Sequence, residues 1–123
     1  MLVGIDIQDV ERLGRFGKDK LARIFSEREM DYFDTKNWVP ETISGMFSAK
    51  EAFFKTIGTG MQISRMHDIE ILHDSHGAPY YHLSPTLIRE NNLCTAKVAL
   101  SISHTKAISV AVCIIMRVDL LLG

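Results

Sequence analysis

The chain has 123 residues, of which 46% are hydrophobic and 24% are charged, and this length and composition fit one domain, residues 1–123. Its formal net charge of −1 gives no electrostatic basis for nucleic-acid binding. Its two cysteines, Cys94 and Cys113, lack the number and spacing of a disulfide framework or zinc site, so we expect reduced thiols. The start lacks the basic residues of a signal peptide, and the longest uncharged apolar stretch, ISVAVCIIM, is too short to span a membrane, so we expect a cytoplasmic protein.

The N-terminal part of the chain predicts one strand followed by short helices. The apolar stretch MLVGIDI suits a strand whose single carboxylate, Asp6, would be delivered to a surface. From Val10 to Phe33 the apolar residues recur at helical spacing, with interruptions at glycines. Ser26 precedes Glu29 by three residues, which is the spacing of a helix-capping box. We therefore expect two or three short helices in this part.

The middle of the chain predicts its longest helix, and the remainder predicts two hairpins. Pro40 suits the first turn of a helix that runs to about Ile57 and ends at the glycines of GTG. DIEILHD and PYYHL flank a turn at Gly77, KVALSISH is followed by AISVAVCIIM, and a short helix capped by Ser84 separates these hairpins. The predicted fold class is α+β: a mainly antiparallel sheet packed on a long central helix, with additional short helices.

The last predicted strand is apolar on both of its faces. Ile108 and Val110 begin one face, and Ala111 and Cys113 begin the other. Such a strand needs cover on both sides, which either a central position within a monomer or contact with another subunit would provide. The pattern alone leaves both arrangements open.

The long predicted helix carries charged residues beside its apolar face. At about 100° per residue, Lys50 falls within the apolar stripe, where we expect its stem to cover aromatic side chains and its ammonium to reach water. Glu51 and Lys55 lie one turn apart on the flank, and an exposed pair there would contribute only about 0.2–0.5 kcal/mol. The other interpretation joins them to Asp6, because carboxylates suit Mg²⁺ shared with phosphates and a basic side chain suits phosphate oxygens.

Three stretches of this sequence resemble a known family. GIDIQDVERL, FSAKEAFFKTIGTG and SISHTKAISVAV are similar, in order and spacing, to the holo-acyl-carrier-protein synthase group of 4'-phosphopantetheinyl transferases. FSEREMDYF and HGAPY are weaker matches, and together the matches span nearly the whole chain. The resemblance implies the 4'-phosphopantetheinyl transferase fold. It also implies Mg²⁺-dependent transfer of phosphopantetheine from coenzyme A to a serine of apo-acyl carrier protein, releasing adenosine 3',5'-bisphosphate, in fatty acid biosynthesis.

The resemblance further implies a role for each matching residue. Asp6 and Glu51 would bind the metal that holds the coenzyme A pyrophosphate. Coenzyme A would be bound by Lys55, Gly58, Thr59, Gly60 and His104, and the catalytic residues would be Glu51, Lys55 and His104. The sequence leaves open whether Glu51 or a water accepts the serine proton, and a lone histidine such as His104 is also common at surfaces.

Two further expectations concern partners. Family members of this short type assemble as homotrimers with active sites between subunits, which would cover the doubly apolar last strand. Residues 12–28 contain six basic and two acidic side chains, a net charge of +4 that suits an acidic helical partner such as a carrier protein. Docking would use Arg12, Arg15 and Arg23, and the alternative is an ordinary solvated face.

Some features depart from the family pattern or match none of it. Met46 stands where the family commonly has an arginine, which would remove one contact to phosphate or to the carrier protein. The remaining histidines match no motif and are expected at the surface; they are His67, His73, His76 and His82.

Two alternative functions remain at this point. One is a coenzyme A or carrier-protein binding module that keeps the fold without transferring anything. The other is a structural oligomer whose carboxylates form surface ion pairs. Mg²⁺-dependent tightening of coenzyme A binding would exclude the structural oligomer, and transfer to a carrier protein would exclude the binding module.

Overall fold

The computed structural model describes residues 1–117. Residues 118–123, at the end of the domain predicted over residues 1–123, lie outside the described residues. The strands are β1 (Leu2–Asp9), β2 (Ile69–His73), β3 (Pro79–Leu83), β4 (Ala96–His104) and β5 (Ile108–Arg117). The α-helices are α1 (Val10–Gly14), α2 (Lys18–Ile24), α3 (Glu27–Thr35), α4 (Pro40–Ile57) and α5 (Pro85–Glu90), and a 3-10 helix, Ile63–Asp68, precedes β2.

The strands form two antiparallel sheets. β5 lies between β1 and β4 in a three-stranded sheet, whereas β2 pairs with β3 in a separate hairpin. The long helix α4 packs against β1 and β5. This arrangement confirms the predicted α+β class, both hairpins and the long central helix. Within residues 1–117, no helix is both long enough and apolar enough to cross a bilayer.

Local capping interactions explain why the helix bounds agree with the sequence. Ser26 and Glu29 form the predicted capping box, in which each side chain accepts a hydrogen bond from the other residue's backbone N–H. The Ser84 hydroxyl caps the N-terminus of α5, where it accepts a hydrogen bond from the Leu87 backbone N–H. Pro40 occupies the first turn of α4, and Gly58 ends the helix at a φ of 81°.

Two glycines allow α4 to approach the three-stranded sheet closely. A Cβ atom on Gly4 of β1 would lie 2.2 Å from Thr56 Oγ1 and 2.4 Å from the Ala52 carbonyl oxygen. A Cβ atom on Gly45 of α4 would lie 2.9 Å from Ile102 Cγ2 in β4. Since real Cβ atoms do not approach backbone atoms so closely, glycine at position 4 sets the spacing between β1 and α4.

The three-stranded sheet turns one face to α4 and the other outward. On β1 the buried positions are Gly4 and Asp6, while Val3, Ile5 and Ile7 point outward and are 56–62% exposed. β5 is central in the sheet, yet its outward residues are also only partly buried, with the terminal Ile108 and Met116 each 40% exposed. The exposed apolar side chains of β1 and β5 lie on the sheet face opposite α4. Both faces of β5 are therefore apolar as predicted, and α4 covers only the inner one.

The structure corrects the expectation for Lys50. Its side chain is fully buried and does not reach water. The ammonium donates hydrogen bonds to Glu29 Oε1 at 2.7 Å and to the carbonyl oxygens of Ile24 and Met66 at 2.8 and 2.9 Å. Burial raises the pKa of Glu29 and lowers that of Lys50, and the attraction within the pair opposes both shifts. This pair joins α4 to the end of α2, to α3 and to the 3-10 helix.

Candidate active site

Asp6 is the centre of the candidate site because strand alternation turns its carboxylate toward α4. The residue is only 5% exposed. Lys55 Nζ donates to Asp6 Oδ1 at 2.9 Å and to the Ile5 carbonyl oxygen at 3.2 Å. Gln8 Nε2 donates to Asp6 Oδ2 at 2.9 Å. The buried carboxylate thus has a partner on each oxygen, which resolves the cost of placing it within an apolar strand.

Glu51 lies on α4 one turn before Lys55 and is partly buried. Burial raises the pKa of Glu51, and the negative charge of Asp6 raises it further, while Lys55 and Arg12 act in the opposite direction. Two carboxylates and one ammonium therefore share one site. Lys55 forms its ion pair with Asp6, so the structure does not support an isolated, exposed Glu51–Lys55 pair.

This donor set fits Mg²⁺ bound jointly with phosphates. Asp6 and Glu51 supply hard carboxylate oxygens, and Mg²⁺ commonly takes one or two carboxylates, with water and substrate phosphate completing its coordination. Within residues 1–117, no group of three or more histidine, cysteine, aspartate or glutamate side chains is arranged to hold a metal by itself. A metal held by Asp6 and Glu51 would complete its coordination with water and substrate oxygens.

The turn after α4 presents open backbone close to Lys55. Gly58 and Gly60 have φ values of 81° and 69°, in the left-handed region that favours glycine. A Cβ atom on either glycine would meet nothing within 4 Å, so the space beside this turn is free. Thr59 is exposed between them, and its backbone N–H donates to the Phe54 carbonyl oxygen.

His104 does not join Asp6, Glu51 and Lys55 within one chain. It ends β4, and β5 separates that strand from β1, which carries Asp6. His104 is exposed and lines a different cleft, of about 200 Å³, together with the buried Met46. The structure therefore brings together three of the four residues on which the sequence interpretation depends.

Gln8 is a site residue that the sequence interpretation missed. Besides its hydrogen bond to Asp6, its Oε1 accepts a hydrogen bond from Arg12 Nη1 at 2.9 Å. Strand alternation places residues 6 and 8 on the same face of β1, and Arg12 follows four residues later, at the start of the helical segment. The spacing of residues 6, 8 and 12 could therefore have indicated Gln8 from the sequence.

The basic segment borders the same region. Arg12 and Arg15 line an open cleft of about 530 Å³ together with Asp9, Glu11 and Lys106. Lys106, in the turn between β4 and β5, is a second neighbour that the sequence interpretation missed. Arg23 is exposed near the end of α2 and does not line this cleft.

The remaining histidines follow the surface expectation with one exception. His67, His76 and His82 are exposed. His73 is partly buried and stacks on Tyr32, with ring centroids 3.9 Å apart and an interplanar angle of 5°. Burial lowers the pKa of His73.

Comparisons with known proteins place this geometry in a family. The family model of the 4'-phosphopantetheinyl transferase superfamily matches residues 2–113. A holo-[acyl-carrier-protein] synthase from Clostridium botulinum (strain Eklund 17B / Type B) is 36% identical over 116 residues, covering 92% of this chain and 94% of the relative. The corresponding protein from Alkaliphilus oremlandii is 41% identical over 115 residues, covering 89% and 93%.

Solved structures give the same result. A holo-(acyl-carrier-protein) synthase from Bacillus anthracis, crystallised in complex with CoA (3',5'-ADP), superposes with a TM-score of 0.77 at 32% identity over 94% of this chain and 96% of the other. The Helicobacter pylori holo-[acyl-carrier-protein] synthase in complex with coenzyme A gives 0.80 at 28% identity over 94% and 100%. The resemblance found in the motifs is confirmed, and the chain belongs to the 4'-phosphopantetheinyl transferase superfamily.

Proposed function

We propose that this protein transfers the 4'-phosphopantetheine group of coenzyme A to a serine of apo-acyl carrier protein, as a step of fatty acid biosynthesis in the cytoplasm. The observation that carries this proposal is the convergence of Asp6, Glu51 and Lys55 at the contact between β1 and α4. The relatives named as holo-[acyl-carrier-protein] synthases and the coenzyme A complexes of similar structures support the choice of reaction and substrates.

In this proposal Asp6 and Glu51 hold Mg²⁺ and Lys55 holds a phosphate. When bound, Mg²⁺ would stabilise the negative charge of the coenzyme A pyrophosphate during attack. Lys55 is half-exposed, and its ammonium uses two of its three N–H groups on Ile5 and Asp6. The third N–H has no partner within residues 1–117 and can donate to a phosphate oxygen.

The bond changes of the reaction can be assigned to this site. The serine oxygen forms a bond to the phosphorus that carries pantetheine, and the bond from that phosphorus to adenosine 3',5'-bisphosphate breaks. The serine proton must leave as this occurs. Glu51 or a water molecule can accept this proton.

Coenzyme A would extend from this site along the turn after α4. The free space beside Gly58 and Gly60 lets a nucleotide approach the backbone there, and Thr59 offers an exposed hydroxyl. His104 would contact coenzyme A as well. Since His104 lies apart from Asp6 in one chain, this contact would come from a neighbouring subunit.

A homotrimer would provide that neighbour. The outward face of the sheet exposes a row of large apolar side chains, Val3, Ile5, Ile7, Ile108 and Met116, and exposed rows of this kind commonly form interfaces. β1 is also an edge strand, paired on one side only within the described residues. Assembly through this face would bury the row and bring one subunit's His104 to another subunit's site.

The carrier protein would dock on the basic segment. Arg12 and Arg15 line one cleft, Arg12 also donates to Gln8 beside Asp6, and Arg23 lies further along the same segment. An acidic helix placed there would present its serine close to the proposed metal site. Long-range attraction of this kind acts mainly on association rate and depends on salt.

A transfer assay tests the proposed function. Purified protein, coenzyme A, Mg²⁺ and apo-acyl carrier protein are combined, and the mass of the carrier is measured. We expect a gain of one phosphopantetheine with the wild type and none with Glu51→Gln. Asp31→Asn, which neutralises an exposed acid on α3, is the matched control and should transfer normally. Coenzyme A binding without transfer by the wild type would indicate a binding module instead.

A further inference from the structure

The carboxylate of Asp6 is held by a chain of hydrogen bonds that begins at the basic segment. Arg12 Nη1 donates to Gln8 Oε1 at 2.9 Å, and Gln8 Nε2 donates to Asp6 Oδ2 at 2.9 Å. Lys55 Nζ holds the other carboxylate oxygen at 2.9 Å. Gln8 therefore joins a proposed docking arginine to a proposed metal ligand by hydrogen bonds.

The charges on either side fix the orientation of the Gln8 amide. The amide oxygen can only accept a hydrogen bond and the amide nitrogen can only donate. A reversed amide would place its oxygen against the Asp6 carboxylate and its nitrogen against the Arg12 guanidinium, and both contacts would be repulsive. Asp6 and Arg12 thus specify one orientation, and Gln8 restricts the position of each of them.

We propose that Gln8 is a positioning residue: it orients Asp6 for Mg²⁺ and holds Arg12 beside the two carboxylates. This inference rests on the proposed function of the site. Groups that hydrogen-bond to a metal ligand without touching the metal fix the rotamer of that ligand, and their removal commonly lowers metal affinity by about 10–100-fold. Arg12 already acts electrostatically on Glu51, so its position matters to both acids.

The test measures Mg²⁺ affinity rather than activity. Mg²⁺ is titrated calorimetrically into protein saturated with coenzyme A, with no carrier protein present, so that no transfer occurs. Gln8→Met keeps the charge and approximate volume but removes both hydrogen bonds, and we expect about tenfold weaker Mg²⁺ binding. Gln8→Asn retains an amide that is too short to bridge both partners, and it should weaken Mg²⁺ binding in the same direction.

Thr86→Met is the control, because Thr86 is an exposed neutral polar residue on α5, outside this chain of hydrogen bonds and away from the turn after α4. Its Mg²⁺ affinity should equal that of the wild type. A role of Gln8 in folding alone would lower the melting temperature of Gln8→Met and leave its Mg²⁺ affinity unchanged. That result, in Gln8→Met or in Gln8→Asn, would overturn the inference.

A double-mutant cycle separates Arg12 acting through Gln8 from Arg12 acting directly. Arg12→Lys keeps the positive charge but alters the contact to Gln8. It should weaken Mg²⁺ binding in the wild-type background and have no further effect in the Gln8→Met background. Equal effects in both backgrounds would contradict the chain of hydrogen bonds. If wild-type protein shows no Mg²⁺-dependent coenzyme A binding, the proposed function itself is wrong.

Discussion

The pair formed by Lys50 and Glu29 shows what a single buried charge requires of its surroundings. Each ion loses its hydration on burial, and the lost interactions must be replaced within the protein. The Lys50 ammonium has an acceptor for each of its three N–H groups, and Glu29 also accepts from the backbone of Ser26 and Ile71. The pair therefore joins α2, α3, α4, the 3-10 helix and β2, and it does so only while all of its partners are in place.

We expect Lys50→Met to lower the free energy of unfolding by about 3–5 kcal/mol, because it leaves the Glu29 carboxylate buried without its cation. The double variant with Glu29→Gln should lose less than the sum of the two single losses, since it removes both charges. Urea denaturation measures these differences. Lys36→Met, at an exposed lysine, is the control, and an equal small loss in both lysine variants would contradict the role of the pair.

The ion pair between Arg28 and Glu70 predicts that the free energy of unfolding falls in acid. Hydrogen bonding from Arg28 is the main cause that lowers the pKa of Glu70 from 4.5 to about 2. A lowered carboxylate pKa gives stability that is present above about pH 4.5 and lost as the pH falls toward 2. Glu70→Gln should cost about 1–2 kcal/mol at pH 7, a value reduced because Arg28 is exposed, and almost nothing near pH 2. Unfolding free energies measured across this range test it, and a loss independent of pH would argue against it.

Sequence distance separates the residue-scale features that could be predicted from those that could not. The capping box of Ser26 and Glu29 depends on neighbours three residues apart, so the pattern alone indicated it. The partner of Lys50 lies 21 residues away, and no local pattern reveals that a lysine in an apolar stripe will meet a buried acid. Gln8 was available from strand alternation, but only once Asp6 was known to face α4.

At the scale of elements, the site depends on how closely β1 approaches α4. Gly4 lies against Ala52 and Thr56 of α4, two residues along β1 from Asp6. The separation of the two carboxylates is therefore set by packing two residues away from Asp6. A side chain at position 4 would push the strand from the helix.

Gly4→Ala should lower stability by about 1–3 kcal/mol, because its Cβ would meet backbone and side-chain atoms of α4 that cannot move away cheaply. It should also weaken coenzyme A binding in Mg²⁺, since Asp6 moves with the strand. Thermal unfolding and calorimetry measure the two effects. Gly14→Ala is the control, because its Cβ would meet Pro40 at an ordinary 3.5 Å; similar results for the two variants would count against the packing argument.

Elements with regular patterns were predicted well, while their spatial order was not. Helical periodicity, Pro40 and the glycines after Ile57 indicated α4, and alternation with turn residues indicated both hairpins. The pairing of β1 with the distant β5 has no local signal in the chain, because it depends on which apolar faces meet in the folded core. The sequence joined Asp6 to α4 only through the shared chemistry of Asp6, Glu51 and Lys55 and through family resemblance, because no local pattern links such distant residues.

At the scale of the whole molecule, the outward face of the sheet is the largest feature that one chain leaves unexplained. Ile5 and Ile7 are 59% and 62% exposed on a strand whose acid, Asp6, points inward. Apolar side chains that face outward beside an acid that faces inward suit a sheet covered by α4 on one side and by other subunits on the other. The proposed trimer thus accounts for the apolar face and for the separation of His104 from Asp6.

Ile7→Glu should dissociate the proposed trimer and reduce transfer strongly, because it places a charge within the apolar interface. Light scattering gives the molar mass, and the transfer assay gives the activity. Ile63→Glu, at an isoleucine that is 59% exposed on the 3-10 helix, is the matched control and should stay trimeric. A wild-type protein that is monomeric and fully active would contradict a site shared between subunits.

The central claim is that Asp6 and Glu51 together hold a divalent ion against coenzyme A. Its most direct test is the calorimetric affinity for coenzyme A, measured with and without Mg²⁺, in the wild type, Asp6→Asn and Glu51→Gln. We predict that Mg²⁺ tightens binding by at least about tenfold in the wild type and in the Asp31→Asn control, and has no effect in the two site variants. Equal tightening in the wild type and both site variants would contradict the claim.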